Sequence, residues 1–399
     1  MTSTSAMDSL PEFPWDSLAP YKARASCHAG GLVDLSVGTP VDPTPDVVRS
    51  ALTAAADAHG YPQTWGTPAL REAVVAWFAR RRGVPDVNPD GVLPTIGSKE
   101  LVAWLPTLLG AGPGDVVAFP AVAYPTYDVG ARLAGASPQS MDMTDLGPVT
   151  TGPSMTTPKL LWLNSPSNPT GEVLGHEHLA TVVRWARQHG VVVASDECYA
   201  ELDWRDGAGG SSSGLPVPGA VPSILDPRVC GGSHDGLLAV YSLSKQSSMA
   251  GYRAAFVAGD PALVGRLLEI RKHAGMMVPW PVQQAMLAAL ADDTHVAEQR
   301  VRYGIRRGHL RSALEHAGYR IDHSDAGLYL WVTRGGVDGT GASSHCWTIL
   351  GEMADLGILV APGSFYGAAG GRHVRIALTA SDERIGAAVL RLAQSGESG

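Results

Sequence analysis

The sequence predicts an α/β fold: a large domain with a mostly parallel central sheet, followed by a smaller α+β C-terminal domain. Three observations carry this. Short, continuous apolar runs recur through the middle of the 399 residues, as strands buried on both faces require. Helical patterns stand between them, as crossover connections do. Past about residue 285 the order changes to long helical stretches separated by single strand-like runs.

In chain order, DVVAFP (115–120) and KLLWLN (159–164) are the first strands, followed by VVVASD (191–196), LLAVYS (237–242) and AAFVAG (254–259). HEHLATVVRWARQHG (176–190) has apolar residues at helical spacing and a closing glycine, the pattern of a crossover helix. A helical stretch from about 281 to 318 precedes GLYLWVT (327–333), a further helix and HVRIALT (373–379). The expected division is an N-terminal segment 1–45 packing with the small domain, a large domain 46–285 and a small domain 286–399. DGAGGSSSGLPVPGAVP (206–222) reads as a loop insertion by composition.

Bulk properties narrow the function. Thirty basic against 38 acidic residues, with no long basic run and no basic face interleaved with aromatics, argue against a nucleic-acid binder. Four cysteines lie far apart without a C-x-x-C pair, so free thiols are expected. No apolar run reaches the roughly 18 residues that span a bilayer, and the N-terminus lacks the basic start and apolar stretch of a signal peptide. A cytoplasmic protein without a membrane partner is the expectation. The pair His176 and His178 lacks metal-ligand spacing, so no metal is expected.

Polar residues cluster just after the predicted strands, where open α/β sheets hold ligands. SPSNPTG (165–171) offers Asn168, although N-P-T-G alone is also an ordinary turn. SDECYAEL (195–202) places Asp196 at a strand end and Tyr199 three residues on; an aspartate there also suits a helix N-cap. YSLSKQSSMAGYR (241–253) carries Ser242, Ser244, Lys245 and Arg253, and Lys245 is one of five lysines in the chain. TIGSKELVAWL (95–105) sets Gly97, Ser98 and Lys99 before an amphipathic helix, as an anion-binding helix start would, while Lys99 equally suits a solvated first turn. One requirement unites them. A cofactor with an aldehyde, a basic ring nitrogen, a ring hydroxyl and a phosphate needs an amine, an acid, hydroxyl-directed donors and a guanidinium. That cofactor is pyridoxal phosphate, with Lys245 as its Schiff-base residue.

These motifs, in this order, resemble fold-type I pyridoxal-phosphate enzymes of the class I/II aminotransferase group. The interval from Asn168 to Asp196 is 28 residues and that from Lys245 to Arg253 is eight. The resemblance implies that Lys245 moves the substrate proton, that Asp196 pairs with the ring nitrogen, and that Asn168 and Tyr199 meet the ring oxygen. Ser242, Arg253, Ser98 and Lys99 would surround the phosphate, and Tyr124 would stack on the ring. Arg375 would clamp the substrate carboxylate, with Gly38 and Asn168 as further substrate contacts. Tyr61 would reach the neighbouring site of a homodimer. GSKELVAWLPTLLG (97–110) and SLSKQSSMAGYRAAFVAGD (242–260) are similar to the actinobacterial type of N-succinyldiaminopimelate aminotransferase. That likeness implies lysine and diaminopimelate biosynthesis, with glutamate and 2-oxoglutarate as the other substrate pair. The insertion at 206–222 departs from the pattern. An aminotransferase for another amino acid, in secondary metabolism, and a β-lyase of the same fold are the alternatives.

Overall fold

The structure, a computed structural model, describes residues 10–141, 157–205, 215–334 and 345–396. β1 (Val33–Asp34) lies near the N-terminus, followed by β2 (Val92–Ile96), β3 (Val116–Pro120), β4 (Ser137–Met141), β5 (Leu160–Asn164), β6 (Val192–Asp196), β7 (Leu237–Ser242) and β8 (Ala254–Gly259). The later strands are β9 (Tyr319–Asp322), β10 (Tyr329–Arg334), β11 (Ile358–Leu359), β12 (Ala361–Pro362) and β13 (Val374–Ala377).

Seven strands form the central sheet in the order β2-β8-β7-β6-β5-β3-β4. β8 runs antiparallel to β2 and β7, while β7, β6, β5, β3 and β4 pair in parallel. The continuous apolar runs follow from burial on both faces. Leu161 and Leu163 pack with the helices Pro68–Trp77, His176–His189 and Trp280–Ala291, whereas Leu160 and Trp162 pack with Ser98–Leu108, Thr126–Leu133 and Pro261–Ala274. The smaller sheet, β12-β13-β10-β9, shares a separate core with the helices Thr294–His316 and His345–Asp355. β1 pairs in parallel with β11, bringing the N-terminal segment against it.

The expected helical stretch at 281–318 is two helices. It breaks at Asp292 and Asp293, and Asp292 accepts from the Thr294 and His295 amides at 3.3 and 3.1 Å. β2, β4 and β9, with the two-residue strands β1, β11 and β12, are beyond those expected. Of the predicted insertion, 206–214 lies outside the described residues and 215–222 holds neither helix nor strand. Among the described residues no helix is long and apolar enough to cross a membrane, and none of the four cysteines is in a disulfide.

β3 and β5 pair over only Val117–Leu160 and Ala118–Leu161. From β3 the chain moves outward to β4, whereas from β5 it moves inward to β6 and β7. Strand order thus reverses between β3 and β5, the place where open α/β sheets bind ligands.

Candidate active site

Three adjacent parallel strands end on polar residues: β5 on Asn164, β6 on Asp196 and β7 on Ser242. They form the floor of a cavity of about 670 Å³. Lys245, three residues beyond β7, projects into it and donates to the Gly38 carbonyl. Burial pushes the Lys245 pKa down, and the Arg375 and Arg253 guanidiniums add to this against Tyr329 and Cys198. The amine is therefore closer to its neutral, nucleophilic form than a surface lysine.

Asp196 is buried, and among the described residues no cation is in hydrogen-bond contact with it. Its Oδ2 accepts from the Tyr127 hydroxyl at 3.1 Å and its Oδ1 from the Cys198 amide at 3.2 Å. Burial raises its pKa, which those donors offset only in part. Tyr127 is fixed by stacking on Trp162, with centroids 5.0 Å apart. The next residues alternate between site and anchor: Glu197 takes Arg82 at 2.9 Å and Glu201 takes Arg81 at 2.7 Å, both pairs buried. Asp196 and Tyr199 therefore stand on a braced segment.

Asn164 Nδ2 donates to the Asp196 and Pro166 carbonyls, and its Oδ1 accepts from the Asn168 amide at 2.8 Å. Asn168 Oδ1 in turn accepts from Arg375 Nη1 at 3.0 Å. Arg375 is 3% exposed, bonds the Ser36 carbonyl at 2.7 Å, and leaves its Nε without a partner. Its guanidinium lies 3.9 Å from the Tyr329 ring centroid and 5.0 Å from that of Tyr366. Among the described residues no carboxylate pairs with it, so this buried cation is suited to an anionic ligand.

At the other end of the cavity, Ser98 opens the helix Ser98–Leu108 behind Gly97. Gly97 has φ +77°, and a Cβ there would meet Arg253 Nη2 at 2.1 Å. Only glycine lets the guanidinium lie against the helix start. Ser242 Oγ donates to Ser244 Oγ at 2.8 Å, and both line the cavity beside Arg253. Helix amides, hydroxyls and a guanidinium thus converge as an anion cradle. Lys99 is exposed at the cavity mouth, its ammonium 5.8 Å from the Phe13 ring centroid. Tyr124 lies on the cavity wall, edge-on to Tyr127 at 6.0 Å, with its pKa pushed up to about 12 by burial.

The structure thus brings together every residue expected at the site except Tyr61, whose side chain is 96% exposed and outside the cavity. Ser247, two residues past Lys245, is committed elsewhere. It is fully buried and pairs with His295 Nε2 at 2.8 Å, while His295 Nδ1 meets Asp292 Oδ2 at 2.6 Å. Sequence reasoning missed Tyr127, Cys198, Asn164 and Tyr329. The tyrosines stand among packing residues in TYDVGARL and GLYLWVT, where nothing in the sequence separates a site phenol from a core one, and only Asn164, polar at a strand end, carried a usable signal.

A family model described as aminotransferase class I and II matches residues 31–392. The chain is 58% identical over 386 residues to the 4-dedimethylamino-4-oxo-anhydrotetracycline transaminase OxyQ of Streptomyces rimosus, covering 97% of this chain and all of that one. It is 33% identical to an LL-diaminopimelate aminotransferase of Gloeobacter violaceus, covering 99% of each. Among solved structures, an aminotransferase from Neisseria meningitidis superposes with a TM-score of 0.84 at 28% identity, covering 99% of this chain and 100% of that one.

The cofactor of this family is pyridoxal phosphate, and the residues present fit it. The anion cradle at Gly97 and Arg253 suits the phosphate, the buried Asp196 suits a ring N–H, and Lys245 offers the amine. With the model match spanning most of the chain and a relative at 58% identity, the protein belongs to the class I and II aminotransferases and has their fold-type I architecture.

Proposed function

We propose that this aminotransferase exchanges an α-amino group between an amino acid and a 2-oxo acid through Lys245. The observation that carries the reading is a half-buried lysine amine, its pKa lowered, in one cavity with a buried arginine that has no carboxylate partner among the described residues. When bound, pyridoxal phosphate supplies an electron-accepting ring conjugated to the substrate nitrogen. Lys245 then holds and returns the Cα proton, Asp196 keeps the ring nitrogen protonated, and Asn168 and Tyr199 hydrogen-bond the ring oxygen. Ser98, Ser242 and Arg253 hold the phosphate, with Lys99 at the same helix start, and Tyr124 covers the ring. Arg375 takes the substrate α-carboxylate as a planar fork, beneath Gly38 of the N-terminal segment. Tyr61 extends to the partner's phosphate in a homodimer.

For the substrates, glutamate and 2-oxoglutarate with N-succinyl-LL-2,6-diaminopimelate are the first reading; it rests on the sequence resemblance, the relative at 33% identity being named for unsuccinylated LL-diaminopimelate. A bulky, largely apolar amino acceptor of secondary metabolism is the second. It is favoured by the likeness to the transaminase named for an anhydrotetracycline and by Leu10, Phe13 and Val37, which are 38–55% exposed at the cavity mouth.

The test is a single-turnover screen of cofactor-loaded protein against glutamate, succinyldiaminopimelate and amino acids with large aromatic arms. Formation of one 2-oxo acid per site, with loss of the lysine-linked absorbance, is expected. Release of pyruvate and ammonia without that loss would identify a β-lyase. Lys245→Ala is expected to lose the visible absorbance and to slow turnover by about 10⁴-fold or more; a variant that keeps parent turnover sinks the assignment.

A further inference from the structure

Tyr329 has no part in the roles above, yet it touches three residues that do, Tyr199, Arg375 and Gly38. It opens β10, and on the neighbouring β13 Arg375 pairs with Trp331, two residues along. Tyr329 and Arg375 are therefore diagonal neighbours on one face of the smaller sheet. The Tyr329 ring carries the guanidinium at 3.9 Å. Its hydroxyl lies 3.2 Å from that of Tyr199, with the two rings edge to face at 5.8 Å. Gly38 packs against it so closely that a Cβ would fall 2.1 Å from the Tyr329 hydroxyl. All four residues line one cavity.

We propose that Tyr329 is a positioning residue: its hydroxyl fixes the Tyr199 hydroxyl at the cofactor's ring oxygen, while its ring sets the plane of the Arg375 clamp. This rests on the functional reading above. Burial drives both phenols up, but Arg375, Lys245 and the bond with Tyr199 bring Tyr329 below its ordinary value while Tyr199 stays well above. Either hydroxyl can be the donor in the Tyr199–Tyr329 bond as it stands. When Tyr199 gives its proton to a ring oxygen, its lone pairs are free to accept from Tyr329. A hydroxyl that accepts and donates at once is polarised and donates more strongly. Tyr329 thereby makes Tyr199 a better donor and confines it to one orientation.

The sign of the effect follows. A donor at the ring oxygen stabilises negative charge there most when the adjacent lysine nitrogen has lost its proton. Weakening that donor raises the pH at which the visible absorbance of the lysine-linked cofactor changes. Tyr329→Phe keeps the ring and loses the hydroxyl, so the midpoint is expected to rise by about half a pH unit, as loss of part of a hydrogen bond implies. The double variant with Tyr199→Phe should shift no further than Tyr199→Phe alone, because the Tyr329 effect passes through Tyr199. Dissociation of 2-oxoglutarate from the lysine-linked form, read by absorbance, should change less than twofold in Tyr329→Phe and weaken about fivefold or more in Tyr329→Leu, which removes the ring as well.

An unshifted midpoint in a Tyr329→Phe protein that loads cofactor normally overturns the proposal, as does an additive shift in the double variant. Should that variant fail to load, Gly38→Ala serves in its place. Its Cβ displaces the Tyr329 hydroxyl and is expected to raise the midpoint, and an unshifted value overturns the idea equally. If the parent itself gives no pH-dependent visible absorbance with pyridoxal phosphate, the functional reading fails, and this inference with it.

Discussion

Asp196 is a carboxyl that the folded chain buries among neutral donors, Tyr127 and the Cys198 amide. Such burial is costly without a cation, and the ring N–H of the proposed cofactor is the cation it lacks. Asp196→Asn keeps the shape and an acceptor for Tyr127 but removes the charge. The single-turnover rate is expected to fall about 100-fold or more, a larger loss than that of cofactor affinity; a near-parent rate excludes the role. The raised pKa adds a pH signature. Below that value the carboxyl is neutral, so cofactor affinity of the parent should fall as the pH drops through it. In titrations across that range, Asp196→Asn should lack this limb, leaving only the change common to both proteins.

Among the elements, the start of the helix Ser98–Leu108 and the turn that carries Arg253 meet at Gly97. Arg253 itself has φ +56°, and Gly97 has φ +77° with the guanidinium where a Cβ would be. Gly97→Ala both strains the backbone, by about 1–3 kcal/mol, and evicts Arg253 from the cradle. Cofactor affinity is expected to fall at least about tenfold, measured by absorbance titration, with a smaller change in unfolding of the cofactor-free protein. Elements of this kind differ in how far sequence betrays them. β5 to β8 were legible because burial on both faces demands uninterrupted apolar residues, and the helix His176–His189 because Gly190 ends it in the left-handed conformation, φ +67°. β4, SPQSM, was not, because it is a half-exposed edge strand of polar residues. At the site, Lys245, Asp196 and Asn168 stood out as polar residues in motifs at strand ends. Arg375 was legible only through resemblance, since an arginine in a strand is ordinarily an ion-pair partner. Tyr127 and Tyr329 were silent because a phenol that packs and a phenol that positions look alike in a hydrophobic run.

At the scale of the whole molecule, the N-terminal segment that carries Gly38 over the cavity is tied down a few residues later by Asp42. Arg306, in the helix Thr294–His316, grips both Asp42 oxygens at 2.6 and 2.7 Å and reaches Asp382 at 2.7 Å; Gln299 adds a bond to Asp42 at 2.7 Å. Arg306 is 3% exposed, whereas Asp382 is 81% exposed and its attraction is screened. Asp42 is thus the counter-charge that matters. Burial pushes its carboxyl up, but the bonds from Arg306 and Gln299 outweigh this and hold it below the ordinary carboxylate value. A pKa lowered on folding contributes stability that is present above the unfolded value and lost as the pH falls through the folded one. Asp42→Asn leaves the buried guanidinium with its exposed partner alone and is expected to cost about 2 kcal/mol at neutral pH, below the 3–5 kcal/mol of a fully orphaned pair. Urea unfolding across pH checks it: the parent should lead at pH 7 and the two curves should converge in acid. Because Thr44 also bonds the Ser248 carbonyl at 3.1 Å, in the loop that follows Lys245, the same variant should loosen the segment over the site. Faster amide exchange through residues 36–44, together with a raised KM for the 2-oxo acid, is the expected companion. A variant that loses stability at neutral pH while leaving both unchanged would make the Asp42–Arg306 pair a purely structural brace.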